Sequence, residues 1–94
     1  MDLATIRAAI DLVDDEIVRL LDERARRVEA AARHKAQVGL PFRDPAREAE
    51  IRARVAAGPG PFPPAARLRV FDEILGGGRA RVITLGLAPI TETR

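Results

Sequence analysis

The sequence predicts an all-α chain of three helices with a very long first helix, assembled as an intertwined homodimer. Three observations predict it. Apolar residues are 47% of the chain but aromatics only 3%, with no Trp or Tyr, so any core is built from Leu, Ile, Val and Ala, a palette suited to helix packing. An apolar rhythm at three- and four-residue steps runs without Gly or Pro from residue 2 to about residue 38. A helix of that length is about 54 Å long, whereas a compact chain of 94 residues has a radius of gyration of about 12–13 Å. The remaining residues cannot cover both ends of such a rod, and a second copy packed along it is the economical solution.

The first helix is marked by Leu3, Ile6, Ile10, Val13, Ile17, Leu20 or Leu21, Val28 and Ala31 on one stripe. Asp2 is its expected N-cap, and Gly39 with Pro41 ends it. After the loop GLPFR, the segment DPAREAEIRARV opens a second helix, with Asp44 at the N-cap and Pro45 at the first helical position, running to about Ala57. GPGPFPP is a rigid turn. A third helix is expected over about Pro64–Leu75, with Leu68, Phe71, Ile74 and Leu75 facing inward and GGG at 76–78 weakening or ending it. The division that follows is a helical domain over 1–78 and a C-terminal tail over 79–94, a linker or partner-contact segment without helical period.

Composition excludes several function classes. There is no Cys, hence no disulfide or thiolate metal site, and the single His34 allows no His cluster, so no metal or cofactor is expected. His34 is expected on the surface, and Phe42, Phe62 and Phe71 as packing anchors. No charge-free run approaches the ~20 residues that span a bilayer, and the N-terminus does not read as a signal peptide, which predicts a cytoplasmic protein without membrane contact. Residues 2–35 carry seven basic and eight acidic side chains, so the long helix lacks the basic stripe of a nucleic-acid binder.

The chemistry is carried by cations set along the apolar stripe. Arg24 and Lys35 are eleven residues apart, which leaves them about 20° apart around the helix and about 16 Å along it, with Val28 and Ala31 between. Unpaired cations are costly to bury, so the group that meets them is acidic. Two readings stand on spacing alone: an anionic small molecule, or Arg24 paired with Glu23 or Asp22 and Lys35 snorkelling at the helix end. Arg7 is about 25 Å from Arg24 and about 100° around the helix, so it joins the same pocket only from an antiparallel partner helix. Arg47 and Glu48 fall in the first turn of the second helix, where Glu48 also complements the helix dipole.

The ordered set IRAAIDLVDDEIVRLLDERARRVEAAARHK and GLPFRDPAREAEI resembles the all-helical (type II) chorismate mutases over about residues 3–75. The motifs are Arg7, Ile10-Asp11 with Asp14, Leu20-Leu21, Arg24, Lys35, Arg43-Asp44 and Arg47-Glu48, each weak alone and specific as a series; the GPGPFP turn and VFDEIL are similar too. The resemblance implies an intertwined dimer of three-helix chains and the rearrangement of chorismate to prephenate, on the route to phenylalanine and tyrosine. That reaction is unimolecular and uses no nucleophile, metal or cofactor. It implies that Arg24, with Arg7 from the other chain, clamps the two substrate carboxylates. Lys35 donates to a carboxylate and the ether oxygen, Arg47 supports the anionic site, and Glu48 with the backbone at Asp44 binds the ring hydroxyl.

One family element is missing. A third-helix Gln or Glu that donates to the ether oxygen would fall near Val82, within GGGRARV. Three outcomes are expected for that gap: poor activity, a tail folded over the pocket to supply Arg79 or Arg81, or a tail ordered by a partner. Some short family members act in complex with, or fused to, 3-deoxy-7-phosphoheptulonate synthase, and the strip VITLGLAPI would suit such a contact. Aminodeoxychorismate mutases and isochorismate-pyruvate lyases share the scaffold. The lyases usually lack the glutamate at Glu48, which favours the mutase. A non-catalytic regulatory module is the reading from a different class.

Overall fold

In the computed structural model, which describes residues 2–89, the chain is three helices: α1 (Leu3–Val38), α2 (Pro45–Ala57) and α3 (Pro64–Thr84). The expected caps are present. The Asp2 side chain accepts the Thr5 N–H at 2.7 Å, and Gly39, at φ 76°, closes α1 with the N–H of Leu40 on the Lys35 carbonyl. Asp44 accepts the Arg47 N–H at 3.0 Å. Each cap supplies a partner for a backbone group that the helix end leaves unbonded.

The third helix departs from expectation. It does not end near Leu75 but continues through Gly76–Gly78 to Thr84, so the first turn and a half of the supposed tail is helical. The stop signal is Gly86, not the glycine run. Gly86 sits at φ 72° with its N–H on the Ile83 carbonyl, and the Leu87 N–H reaches back to the Val82 carbonyl, the paired bonds of a Schellman closure. Leu87 packs against the cluster that holds Val82, the apolar contact that accompanies such closures. Gly76–Gly78 cost helix propensity of about 1 kcal/mol each relative to Ala, and long-range packing offsets it. The strip VITLGLAPI is likewise not laid open: Val82 and Ala88 are buried with Ala32, while Ile90 and the residues after it lie outside the described range. A Cβ placed on Gly77 would meet nothing within 4 Å. Gly77→Ala is therefore expected to raise the thermal midpoint by about 4–8 °C, measured by circular dichroism.

Ion pairs and packing give the directions. Arg79–Glu48 and Arg52–Asp72 join α2 to α3 in antiparallel sense, and Gly78 against Val28 with Arg81 against Glu29 lays α3 parallel to α1. Arg67 locks the turn between α2 and α3. Its guanidinium donates to the carbonyls of Val55 (3.2 Å), Gly58 (2.5 Å) and Phe62 (2.9 Å). Arg67→Ala removes three donors at once and is expected to cost about 1.5–3 kcal/mol in urea unfolding, with the midpoint moving and the slope unchanged. Phe62, expected as a packing anchor, is 53% exposed, unlike the half-buried Phe42 and Phe71; His34 is on the surface as expected.

The core is small for the chain. Among the described residues the buried apolar side chains are Ala32, Ile51, Leu75, Val82 and Ala88. Every residue of α1 from Leu3 to Asp22 is exposed, including Ile6, Ile10, Val13 and Ile17 of the apolar stripe. The chain is 55 Å long with a radius of gyration of 16.3 Å, against about 12–13 Å for a compact chain of its length.

Candidate active site

The ends of all three helices converge on a cleft of about 320 Å³. The C-terminal half of α1 supplies Arg24, Arg27 and Lys35 to its wall, the α1–α2 loop and first turn of α2 supply Arg43, Asp44, Arg47 and Glu48, and α3 supplies Leu75, Gly78 and Arg79. Val28, Ala31 and Ile51 line the apolar part of it. Six cationic side chains face two carboxylates, an excess of four positive charges in one partly enclosed space.

Arg24 does not pair with its neighbours in sequence. Glu23 is taken by Arg19 at 3.1 Å and Arg27 at 3.8 Å, and Arg24 has no counter-ion among the described residues. Burial first, then the like charges of Arg47 and Arg54, pull its guanidinium below the usual arginine range. α3 packs against α1 here: a Cβ on Gly78 would be in ordinary contact, 3.6 Å from Val28 and 3.9 Å from the Arg24 guanidinium. Lys35 is half-buried. Its ammonium donates to the Phe42 carbonyl at 2.9 Å and sits 5.3 Å from the centre of the Phe42 ring. One of its three donors is thereby spent on the loop, and the loop fixes where the charge stands.

Glu48 is the acidic centre. Its two oxygens are held by different arginines, Oε1 by Arg79 at 2.6 Å and Oε2 by Arg43 at 3.3 Å. The Nε of Arg43 is buried with no hydrogen-bond partner among the described residues. Arg47 reaches outward to Glu50 at 3.3 Å, so its charge stands at the rim. Asp44 is occupied as the α2 cap, and the N-terminal turn beyond it offers backbone donors to an anion. No group of three or more His, Asp or Glu side chains that could hold a metal occurs among the described residues.

Of the six residues singled out from sequence, the fold brings Arg24, Lys35, Asp44, Arg47 and Glu48 to one cleft. Arg7 lies 17 residues earlier on α1, about 25 Å away on a straight helix. Arg27 and Arg43 are the cleft cations without an assigned role from sequence, and Arg79 was expected there only from a folded tail. The signal for Arg79 was present: Leu75, Gly78, Arg79 and Val82 stand at i, i+3, i+4 and i+7, one continuous helical face across the glycines. Arg79 reaches the cleft from that helix and not from a tail folded over it, while Arg81, on another face, pairs with Glu29 at 2.8 Å. The position near which a third-helix Gln or Glu would fall, Val82, is fully buried in the apolar cluster.

Comparison with known proteins agrees with this architecture. The chain is 35% identical over 79 residues to a bifunctional chorismate mutase/prephenate dehydratase of Aquifex aeolicus, a match covering 79% of this chain and 22% of that protein. It is 42% identical over 53 residues to a chorismate mutase of Methanocaldococcus jannaschii, covering 56% of this chain and 54% of that one. The match thus spans about a fifth and about half of these curated relatives. A chorismate mutase structure from Thermus thermophilus (form II) superposes with a TM-score of 0.78 at 38% identity, covering 83% of this chain and 90% of that one. Form I gives 0.77 at 39% identity, with 81% and 96% covered. The family model described as chorismate mutase type II matches residues 6–81, and the chain belongs to that family.

Proposed function

We propose that the chain catalyses the rearrangement of chorismate to prephenate, and that its working form is a homodimer. The observation that carries the reading is the cleft: an excess of four positive charges around an Arg24 that has no counter-ion among the described residues. A dianion of small size answers those charges, and family membership names a dianionic substrate. The reaction is a concerted shift of bonds within one molecule. Catalysis consists of holding a flexible substrate in its reactive chair and stabilising charge that develops on the breaking ether bond. Arg24 takes one carboxylate through a planar fork, and Arg7 of a second chain takes the other. Lys35, with donors to spare beyond Phe42, faces a carboxylate and the ether oxygen. Arg47 adds charge at the rim. Glu48 and the backbone at Asp44 receive the ring hydroxyl.

The dimer is supported by the exposed apolar stripe from Leu3 to Leu21, which a second α1 would cover. Glu48 favours the mutase over the lyase of the same scaffold. No helix of the described residues is long and apolar enough to cross a membrane, and a cytoplasmic site of action belongs to the same proposal. So does association with or fusion to 3-deoxy-7-phosphoheptulonate synthase, read from a rise in kcat when that enzyme is added. The test is an assay of the purified chain with chorismate, prephenate identified by NMR, and isochorismate and aminodeoxychorismate as controls. Conversion of chorismate alone supports the reading; absence of prephenate from a folded dimer overturns it.

A further inference from the structure

We propose that Arg79 is a catalytic residue of this cleft: delivered by the continuous α3 and held by Glu48, it donates to the ether oxygen of the substrate. The inference rests on the reading of the cleft as a chorismate site. Three observations carry it. First, α3 presents Leu75, Gly78 and Arg79 to the cleft, so Arg79 is its one polar side chain there. Val82, one turn on, is fully buried against Ala32 and Ala88 and offers no donor. Second, Arg79 is placed by a specific contact: its Nη1 lies 2.6 Å from Glu48 Oε1, across 31 residues of sequence. That bond uses one of five guanidinium N–H groups and leaves the others for a ligand. Third, Arg79 lines the same cleft as Arg24 and Lys35, the cations read as meeting the substrate.

The chemistry of the substrate links these facts. In chorismate the ring hydroxyl and the ether oxygen stand on adjacent ring carbons. A carboxylate that receives the hydroxyl therefore brings its own hydrogen-bonded arginine next to the ether oxygen. Glu48 then does two things: it accepts from the substrate and aims the Arg79 donor at the oxygen on which charge builds. Arg43 on the other oxygen keeps Glu48 fixed in this role. A guanidinium suits the task, because it is charged at every working pH and bonds more strongly as negative charge develops. No proton is transferred and no covalent step is added.

The test compares the full chain with Arg79→Ala and Arg79→Gln. Arg79→Ala is expected to lower kcat for chorismate by about 10²- to 10³-fold with a small change in KM, as for loss of one donor that acts in the transition state. Arg79→Gln, which keeps a donor without the charge, is expected to recover part of that loss. A binding experiment separates this role from a structural one. Two inert bicyclic dicarboxylates of the chair shape are titrated calorimetrically, one with the ether oxygen and one with a methylene in its place. The original chain is expected to prefer the ether by about 10- to 100-fold, and Arg79→Ala to lose that preference while binding the methylene compound as before. An equal preference in both chains, or an unchanged kcat, overturns the role of Arg79 while conversion of chorismate stands. Failure of the unaltered chain to convert chorismate overturns the cleft reading and this proposal with it.

Discussion

Arg24→Ala is expected to lower kcat/KM for chorismate by about 10²- to 10³-fold without lowering the thermal midpoint. The two halves of this result have one cause. Arg24 stands in a cleft with Arg27, Lys35, Arg43, Arg47 and Arg79, and no carboxylate among the described residues pairs with it. Burial and the charges of Arg47 and Arg54 disfavour its ionised form in the folded chain. The fold therefore carries this charge at a cost, and removal of the charge relieves it. A residue kept for stability would show the opposite pattern, with a lower midpoint and little effect on turnover. Steady-state kinetics and circular dichroism on the same preparation decide between them. Unchanged kcat/KM would sink the assignment of Arg24 to the substrate.

Mixing two inactive variants is expected to restore activity. Arg7→Ala and Arg24→Ala chains should each be nearly inactive alone, and co-refolding them in equal amounts should return about a quarter of the original activity, if each cleft is completed by a second chain. The arithmetic follows from geometry. Arg7 and Arg24 are about 25 Å apart on one straight helix, so a single chain cannot aim both at one small ligand. In a mixed dimer one cleft then carries both lesions and the other neither. Half of randomly paired dimers are mixed, and each has one intact site. If Arg7 and Arg24 served one cleft within a chain, no such recovery would appear, and if Arg7 served none, Arg7→Ala alone would stay active. Sedimentation of the unaltered chain provides the independent check, with a dimer expected from the exposed Ile6, Ile10, Val13 and Ile17.

Much of the site could be read before the fold, because the residues that build it are local to one another. Arg24 and Lys35 share a helix face by period alone, and Asp44, Pro45, Arg47 and Glu48 form one capped turn. What stayed hidden was the connection between segments. Nothing in DPAREAE says that Glu48 will hold Arg43 and Arg79 at once, since one partner lies five residues before it and the other 31 after. Nor does the spacing around Arg24 say whether Glu23 will pair with it or turn to Arg19 and Arg27, since both are within helical reach.

The sequence by itself determined the helical class, the extent of α1, the start of α2 and the helix face that carries the cations. All of these follow from signals within one or two turns: Asp2 and Asp44 as caps, Gly39 at positive φ, and an unbroken apolar period. Only the tertiary structure decided where α3 ends and what it contributes. Three glycines carry a local penalty of about 1 kcal/mol each, which reads as a stop. Burial of Val82 and Ala88 against Ala32, the ion pairs of Arg79 and Arg81, and the closure at Gly86 outweigh that penalty, and none is visible until α1 and α2 lie beside α3. Local propensity is a weak preference, and contacts between distant segments override it where they bury apolar surface.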